Sequence, residues 1–282
     1  MAEEFVPRET DPRVPSSARL YHYYLTSEPI FDSDAVFAEK MFELVPWADE
    51  WAHHNRKFLR RAITFMAEQG IRQFLDIGSG LPTGGNTHDV IRDIAPEAKV
   101  VYVDLDLEAV DRAHELLAAQ DALDSTAVIE GDLRAPGHIL DHPETNRLLD
   151  FSQPIGLLIV SVLPFLSDED DPATIIARLR DRLPADSYLA MTHASMSEAD
   201  PAILDKLIEA NTMYKQSADP ITSRSRAEFT AFFTGFELVE PGVVYAPDWR
   251  PDAEGTVDPQ DPARRCNFAA IGRKPTTADQ GS

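Results

Sequence analysis

Apolar residues recur at helical spacing over the first seventy positions, then give way to short apolar runs at regular intervals. Behind a capping Asp32 or Ser33, the residues Val36, Phe37, Met41, Phe42, Leu44 and Val45 predict a helix that Pro46 stops. Trp51, Phe58, Leu59, Ala62, Ile63, Phe65 and Met66 predict a second helix over 48–69, with Gly70 as its C-cap. Residues 1–10 read as a loose tail, and the chain becomes helix-like from Asp11. From Ile71 onward, strands are expected at 71–76, 99–104, 126–130, 155–162 and 187–192, with helices at 86–94, 107–119 and 172–183. The run Ile155–Val162 is almost wholly apolar, as a parallel strand covered on both faces must be. Helices at 200–214 and 225–233 and strands at 236–244 and 267–271 follow, the two strands joined by a Pro/Asp-rich loop over 247–262.

Strands alternating with helices of this length predict βαβ units. The expected fold is α/β and Rossmann-like: a mostly parallel seven-stranded sheet with helices on both faces and an N-terminal helical cap. Residues 1–70 form the tail and cap, 71–274 the main domain and 275–282 a flexible tail. Right-handed crossovers bring the strand C-terminal ends to one edge, where open α/β sheets bind ligands.

Charge narrows the partners. Among 282 residues, 26 Lys and Arg face 48 Asp and Glu, a net charge of −22. Such a chain is repelled by phosphate backbones and anionic membranes, which argues against nucleic-acid and membrane partners. The only dense basic cluster is Arg56, Lys57, Arg60 and Arg61. A single cysteine, Cys266, excludes an intrachain disulfide and a multi-thiolate metal site, and no metal is expected. The first residues lack a basic flank and apolar run, and Pro154–Leu166 falls short of the roughly 20 residues of a membrane helix. A cytoplasmic location is expected. Oligomeric state is not legible.

The chemistry concentrates at strand ends. Asp76 closes the first strand, and Gly78 and Gly80 follow in a turn that allows close ligand approach. The third glycine of the dinucleotide fingerprint is replaced by Thr83, which argues against a pyrophosphate turn. Asp104 ends the next strand, near the spacing at which an acid meets a ribose diol. Asp132 follows the third strand. Three strand-end carboxylates suit a ligand carrying a cationic amine, a ribose and an adenine, and suit a diphosphate badly.

On these residues the chain resembles the class I S-adenosylmethionine-dependent methyltransferases. More closely it resembles an actinobacterial methyltransferase family first described as a domain of unknown function. The resemblance spans almost the whole chain, through Val14–Tyr23, Asn55–Ala62, Gln73–Thr83, Asn86–His88, Val101–Asp104, Asp132–Arg134 and Asp168–Pro172. It implies S-adenosylmethionine as cofactor, S-adenosylhomocysteine as product and a small-molecule methyl acceptor. Asp76, Gly78, Ser79 and Gly80 would hold the methionine moiety. Asp104 would take the ribose, with Leu105 beside the adenine and Asp132 and Leu133 at the adenine position. Ser161, ending the fourth strand, would face the transferred methyl. Relatives often carry a histidine where this chain has Pro164.

Other side chains are candidates by position. Arg56 can pair with the methionyl carboxylate. Tyr21 leads a tyrosine cluster with Tyr23 and Tyr24, read either as packing or as a lid. His193, just past the fifth strand, is the candidate catalytic base, set at the cavity rim. His88 is assigned a local capping role, His53 and His54 the helix surface, Asp106 the cap of the following helix, and Asp168–Asp171 the cap of the helix at Pro172. Two rival readings share the sheet: a non-catalytic S-adenosylmethionine-binding protein and a nicotinamide-dependent oxidoreductase.

Overall fold

The structure is a computed structural model and describes residue 5, residues 7–251 and residues 257–276. The expected tails at 1–10 and 275–282 and the loop at 247–262 therefore lie partly outside the described residues. Five parallel strands form the centre: β1 (Gln73–Ile77), β2 (Lys99–Asp104), β3 (Thr126–Glu130), β4 (Gly156–Ile159) and β5 (Tyr188–Ala194). Antiparallel β6 (Glu237–Leu238), β7 (Val244–Tyr245) and β8 (Asn267–Arg273) complete the sheet. Its order is β3-β2-β1-β4-β5-β8-β6, with β7 also paired to β8. Strand order reverses between β1 and β4, and the C-terminal ends of these neighbours open a crevice for ligand.

Among the described residues eight strands stand where seven were expected. The predicted strand over 236–244 is two short strands on β8, parted by a turn in which Gly242 N–H bonds Val239 O at 2.8 Å. Pro241 has no N–H for a ladder and Gly242 sits at φ +81°, so the strand cannot run through.

The alternation of side chains divides the core. Leu75, Val101, Val103, Leu157, Leu189 and Met191 point to one face, where they pack with Ile175, Ile176 and Leu179 of α8 (Pro172–Arg182). Phe74, Val100, Tyr102, Leu158 and Ala190 point to the other, against Phe58, Ala62, Ile63 and Met66 of α3 (Ala48–Glu68). Helix α4 (Thr87–Arg92) and helix α5 (Leu107–Ala119) lie on this second face through Ile91 and Leu117. Two short helices, α6 (Pro136–Asp141) and α7 (Pro143–Leu148), fill a stretch whose six-residue segments are too short to show a period.

The cap is α1 (Ser17–Thr26) and α2 (Asp32–Leu44), joined with the start of α3 and with α9 (Leu204–Tyr214) in a third apolar cluster. Helix α1 starts at Ser17 rather than Asp11, because Pro12 and Pro15 lack donors and the Ser16 side chain caps Arg19 N–H. The C-terminal half of α3 packs on the sheet, so the helical segment before residue 70 lies against the domain that follows it. The last short helix is α10 (Arg226–Ala231).

Candidate active site

A cavity of about 370 Å³ opens at the C-terminal ends of β1 and β4, beneath the cap. Beyond β1 the chain turns through Gly78 (φ +74°) and Gly80 (φ +67°). The N–H groups of Gly78 and Ser79 donate to Val103 O at 2.7 and 3.1 Å, strapping the turn to β2. A Cβ on Gly78 would overlap Val162 Cγ2, so only glycine fits between the turn and the chain leaving β4.

Both strand-end acids are almost fully buried and oriented by donors. Asp104 accepts from Gly80 N–H at 2.7 Å and Asp106 N–H at 2.9 Å, one on each oxygen. Asp76 accepts from the Thr87 hydroxyl at 2.6 Å. Burial pushes each carboxyl up to about 6, against the opposing pull of those donors and, for Asp76, of Arg56. Arg56, on α3, donates to Thr83 Oγ1 at 2.6 Å and lies 5.9 Å from the Tyr21 ring centre. Its Nε is buried without a partner.

Asn55, one residue before Arg56, joins four elements. Its oxygen accepts from Thr192 Oγ1 at 2.7 Å and Asn267 Nδ2 at 3.0 Å, and its amide donates to Tyr21 Oη at 3.0 Å. Thr192 Oγ1 in turn accepts from Ser161 N–H at 2.8 Å. Ser161 is held at φ +62°, in the left-handed region that a serine seldom adopts. At the other end, Asp132 accepts from Arg134 N–H at 2.8 Å and from its guanidinium, beside buried Leu133.

The cap wall is fastened by charge. Arg19, 2% exposed, bonds both oxygens of buried Asp34 at 3.2 and 3.1 Å and Asp106 at 3.0 Å. Asp106 also accepts from Ser16 Oγ and caps α5 at Glu108 N–H. The position expected only to cap a helix therefore also ties Ser16 and Arg19 to the turn whose N–H holds Asp104. Asp219 takes Arg8 at 2.6 Å and Ser17 N–H at 2.8 Å.

Asp76, Gly78, Ser79, Gly80, Asp104, Leu105, Asp132, Leu133, Ser161, Arg56 and Tyr21 all line this one cavity. His193 does not, and its placement as a rim base is corrected. Alternation along β5 turns Thr192 toward Asn55 and His193 to the opposite face, fully buried against Phe229. Its Nδ1 bonds Ala194 O at 2.7 Å and its Nε2 faces Arg224 Nη1 at 3.2 Å, which uses the lone pair a base would need. Burial pushes its pKa down to about 4, and Arg224 adds to the effect.

Three other expectations change. His54 is buried and bonds Asp261 at 2.6 Å. His88 is a buried strut rather than a cap, between Tyr102 Oη at 2.6 Å and Gln120 Oε1 at 2.8 Å. Of the acid run, Asp171 caps α8, while Asp168 and Asp170 pair with Arg224 and Arg134. Pro164 stands on the cavity wall, its carbonyl accepting Thr222 N–H at 2.7 Å, and brings no titratable group there. Asp219, Tyr214 and Ile221, which also line the cavity, come from the segment after β5, where no sequence pattern marked them.

Comparison with known proteins places these residues in a family. The family model described as S-adenosyl methyltransferase matches residues 3–275. The structure is similar to that of a candidate methyltransferase from Thermobifida fusca YX, at 38% identity and TM-score 0.85, covering 94% of this chain and 96% of that one. It is also similar to a DUF574 family protein from Streptomyces avermitilis MA-4680, at 35% identity and TM-score 0.86, covering 94% and 99%. The apo S-adenosylmethionine-dependent methyltransferase SibL shares the fold at 16% identity and TM-score 0.51, covering 93% of this chain and 64% of that one. A search of curated proteins gave no match. The chain belongs to the S-adenosyl methyltransferase family, enzymes whose cofactor is S-adenosylmethionine.

Proposed function

We propose that this chain transfers a methyl group from S-adenosylmethionine to a small, uncharged molecule, with the cofactor held along the crevice from Arg56 to Asp132. The observation that carries the reading is the convergence of every nominated cofactor residue on one cavity. The residues fit the group. Gly80 lines the cavity with open space where a Cβ would stand, so the turn presents bare backbone to a ligand. The partnerless Arg56 Nε is a buried donor suited to a carboxylate. Asp104, already oriented by two backbone N–H groups, keeps lone pairs for a diol, and Asp132 offers oxygens to an exocyclic amine.

The cofactor supplies a methyl carbon already activated by its sulfonium. With the cofactor bound, the acceptor's lone pair would form the new bond to that carbon, the C–S electron pair would pass to sulfur, and the acceptor's proton would be released with the product. The protein's part is alignment and exclusion of water, served by the cap and by the Asn55–Thr192–Ser161 chain of hydrogen bonds. No acceptor proton is assigned to His193. The net charge of −22 disfavours a nucleic-acid acceptor.

Asp104→Ala is expected to weaken S-adenosylhomocysteine binding about tenfold or more in calorimetry, since a bond to a charged acceptor is worth roughly 1.5–3 kcal/mol. Unchanged affinity would remove Asp104 from the site. Acidity provides a second check. Both acids are ionised above about 6 and protonate below it. Their pKa values are raised by folding, so the unliganded protein gains stability from them as pH falls, while a ligand that needs the ionised forms loses affinity. S-adenosylhomocysteine should therefore bind about tenfold or more weakly at pH 5 than at pH 8, roughly one ionised carboxylate's worth. A flat profile would contradict this.

A further inference from the structure

A second chamber, of about 130 Å³, adjoins the cofactor cavity and shares Tyr24, Trp51, Ala194, Tyr214 and Ile221 with it. It lies between α2, the start of α3, α9 and the end of β5. Its remaining walls include Met41, Trp47, Met196 and Leu207. Among the described residues no Asp, Glu, His, Lys or Arg lines it, and its three ionisable groups, Tyr24, Tyr214 and Cys266, are all shifted further toward their neutral forms by burial. A charged guest would lose its hydration there with no counterion.

Among the described residues of the wall, one buried side-chain polar atom is unpaired. Asn211 Oδ1, on α9, is buried with no hydrogen-bond partner. A buried amide oxygen left unbonded is costly, which makes this one a candidate acceptor for a donor brought by a guest. Asn211 lines the chamber and not the cofactor cavity, one helical turn along α9 from Tyr214 of the shared wall. Ala194, on the shared wall, ends β5 next to β4, and Ser161 lies two residues past the end of β4.

We propose that this chamber is the acceptor site, and that it takes an uncharged compound of about one aromatic ring that bears an O–H or N–H for Asn211 Oδ1 at one end and its reacting atom at the other. The size fits, since a dry apolar cavity of about 150 Å³ admits benzene. The lining fits as well: two tryptophans, two tyrosines and two methionines offer flat and adaptable apolar contact. The proposal rests on the methyl-transfer reading for the word acceptor, and on the chamber alone for the chemistry of the guest.

The test uses phenol and toluene as probes on the full chain saturated with S-adenosylhomocysteine, read by quenching of Trp47 and Trp51 fluorescence and by calorimetry. Phenol should bind about three- to tenfold more tightly than toluene, the value of one hydrogen bond. Asn211→Leu should abolish or reverse that preference while toluene still binds. Ala210→Phe, which places a ring in the chamber wall, should remove both probes and leave S-adenosylhomocysteine affinity unchanged. Equal binding of the two probes, or phenol binding indifferent to both substitutions, would overturn the proposal even with the cofactor bound. Failure of S-adenosylhomocysteine itself to bind would overturn the methyl-transfer reading and the acceptor role together, and phenol titrated alone would then show whether the chamber still binds a ring.

Discussion

Gly78→Ala will cost the protein roughly 2–5 kcal/mol, and S-adenosylhomocysteine binding will be lost to calorimetry at micromolar protein. Two effects add. An alanine at φ +74° sits in the left-handed region at a cost of about 1–2 kcal/mol. Its Cβ also overlaps Val162 Cγ2 and comes within 3.3 Å of Val162 Cβ, and overpacking of this kind costs about 1–3 kcal/mol. The neighbour cannot yield freely, because Val162 follows Ser161, whose N–H is pinned to Thr192. The two effects can be separated. Val162→Ala in the same chain removes the clash and leaves the backbone term, so the double variant should recover part of the stability by chemical denaturation. If Val162→Ala recovers nothing, the overlap is not what excludes a side chain at 78.

Arg19→Met will lower stability by about 3–5 kcal/mol, the penalty for leaving a buried charge without its partner. For a chain of this size that is a melting temperature roughly 6–20 °C lower. Arg19 is the sole bridge from α1 to both Asp34 and Asp106 among the described hydrogen bonds, and it stacks 5.1 Å from the Phe31 ring. Burial already raises the Asp34 pKa, with Arg19 opposing it. Removing the guanidinium lets that pKa rise further, so the folded variant holds a proton that the unfolded chain releases. Its deficit should then grow as pH rises and shrink at low pH. Asp34→Asn in the Arg19→Met background should return part of the loss. A deficit that is the same at pH 5 and pH 8 would show that packing on Phe31, not charge, is what Arg19 supplies.

The parts of this fold that were legible are those with a short period or an end signal. The apolar run of β4, the alternation that follows residue 70, and the acids closing β1 and β2 each follow from local rules, and Asp76 and Asp104 reached the site as a consequence of topology. The side chains that face the cavity from α9 and the loop after it obey no such rule. Asp219 becomes a cavity residue only because Arg8 and Ser17 fold onto it from two hundred positions away. His193 shows the opposite failure. Proximity to a strand end suggested the site, but one step of the pleat turned the ring into the core beside Arg224. His54 was hidden for a related reason, since its partner Asp261 lies far along the chain. The split between β6 and β7 was foreshadowed by Pro241-Gly242, which the apolar pattern around it outweighed.

The most direct measurement is calorimetric titration of the full chain with S-adenosylhomocysteine and, separately, with NAD⁺ at pH 8. One adenosyl site per chain is expected, weakened by Asp104→Ala, with no heat of binding from NAD⁺, because the turn at Gly78–Thr83 lacks the third glycine that a pyrophosphate turn requires. NAD⁺ binding as tight as S-adenosylhomocysteine, or S-adenosylhomocysteine binding indifferent to Asp104, would contradict this expectation.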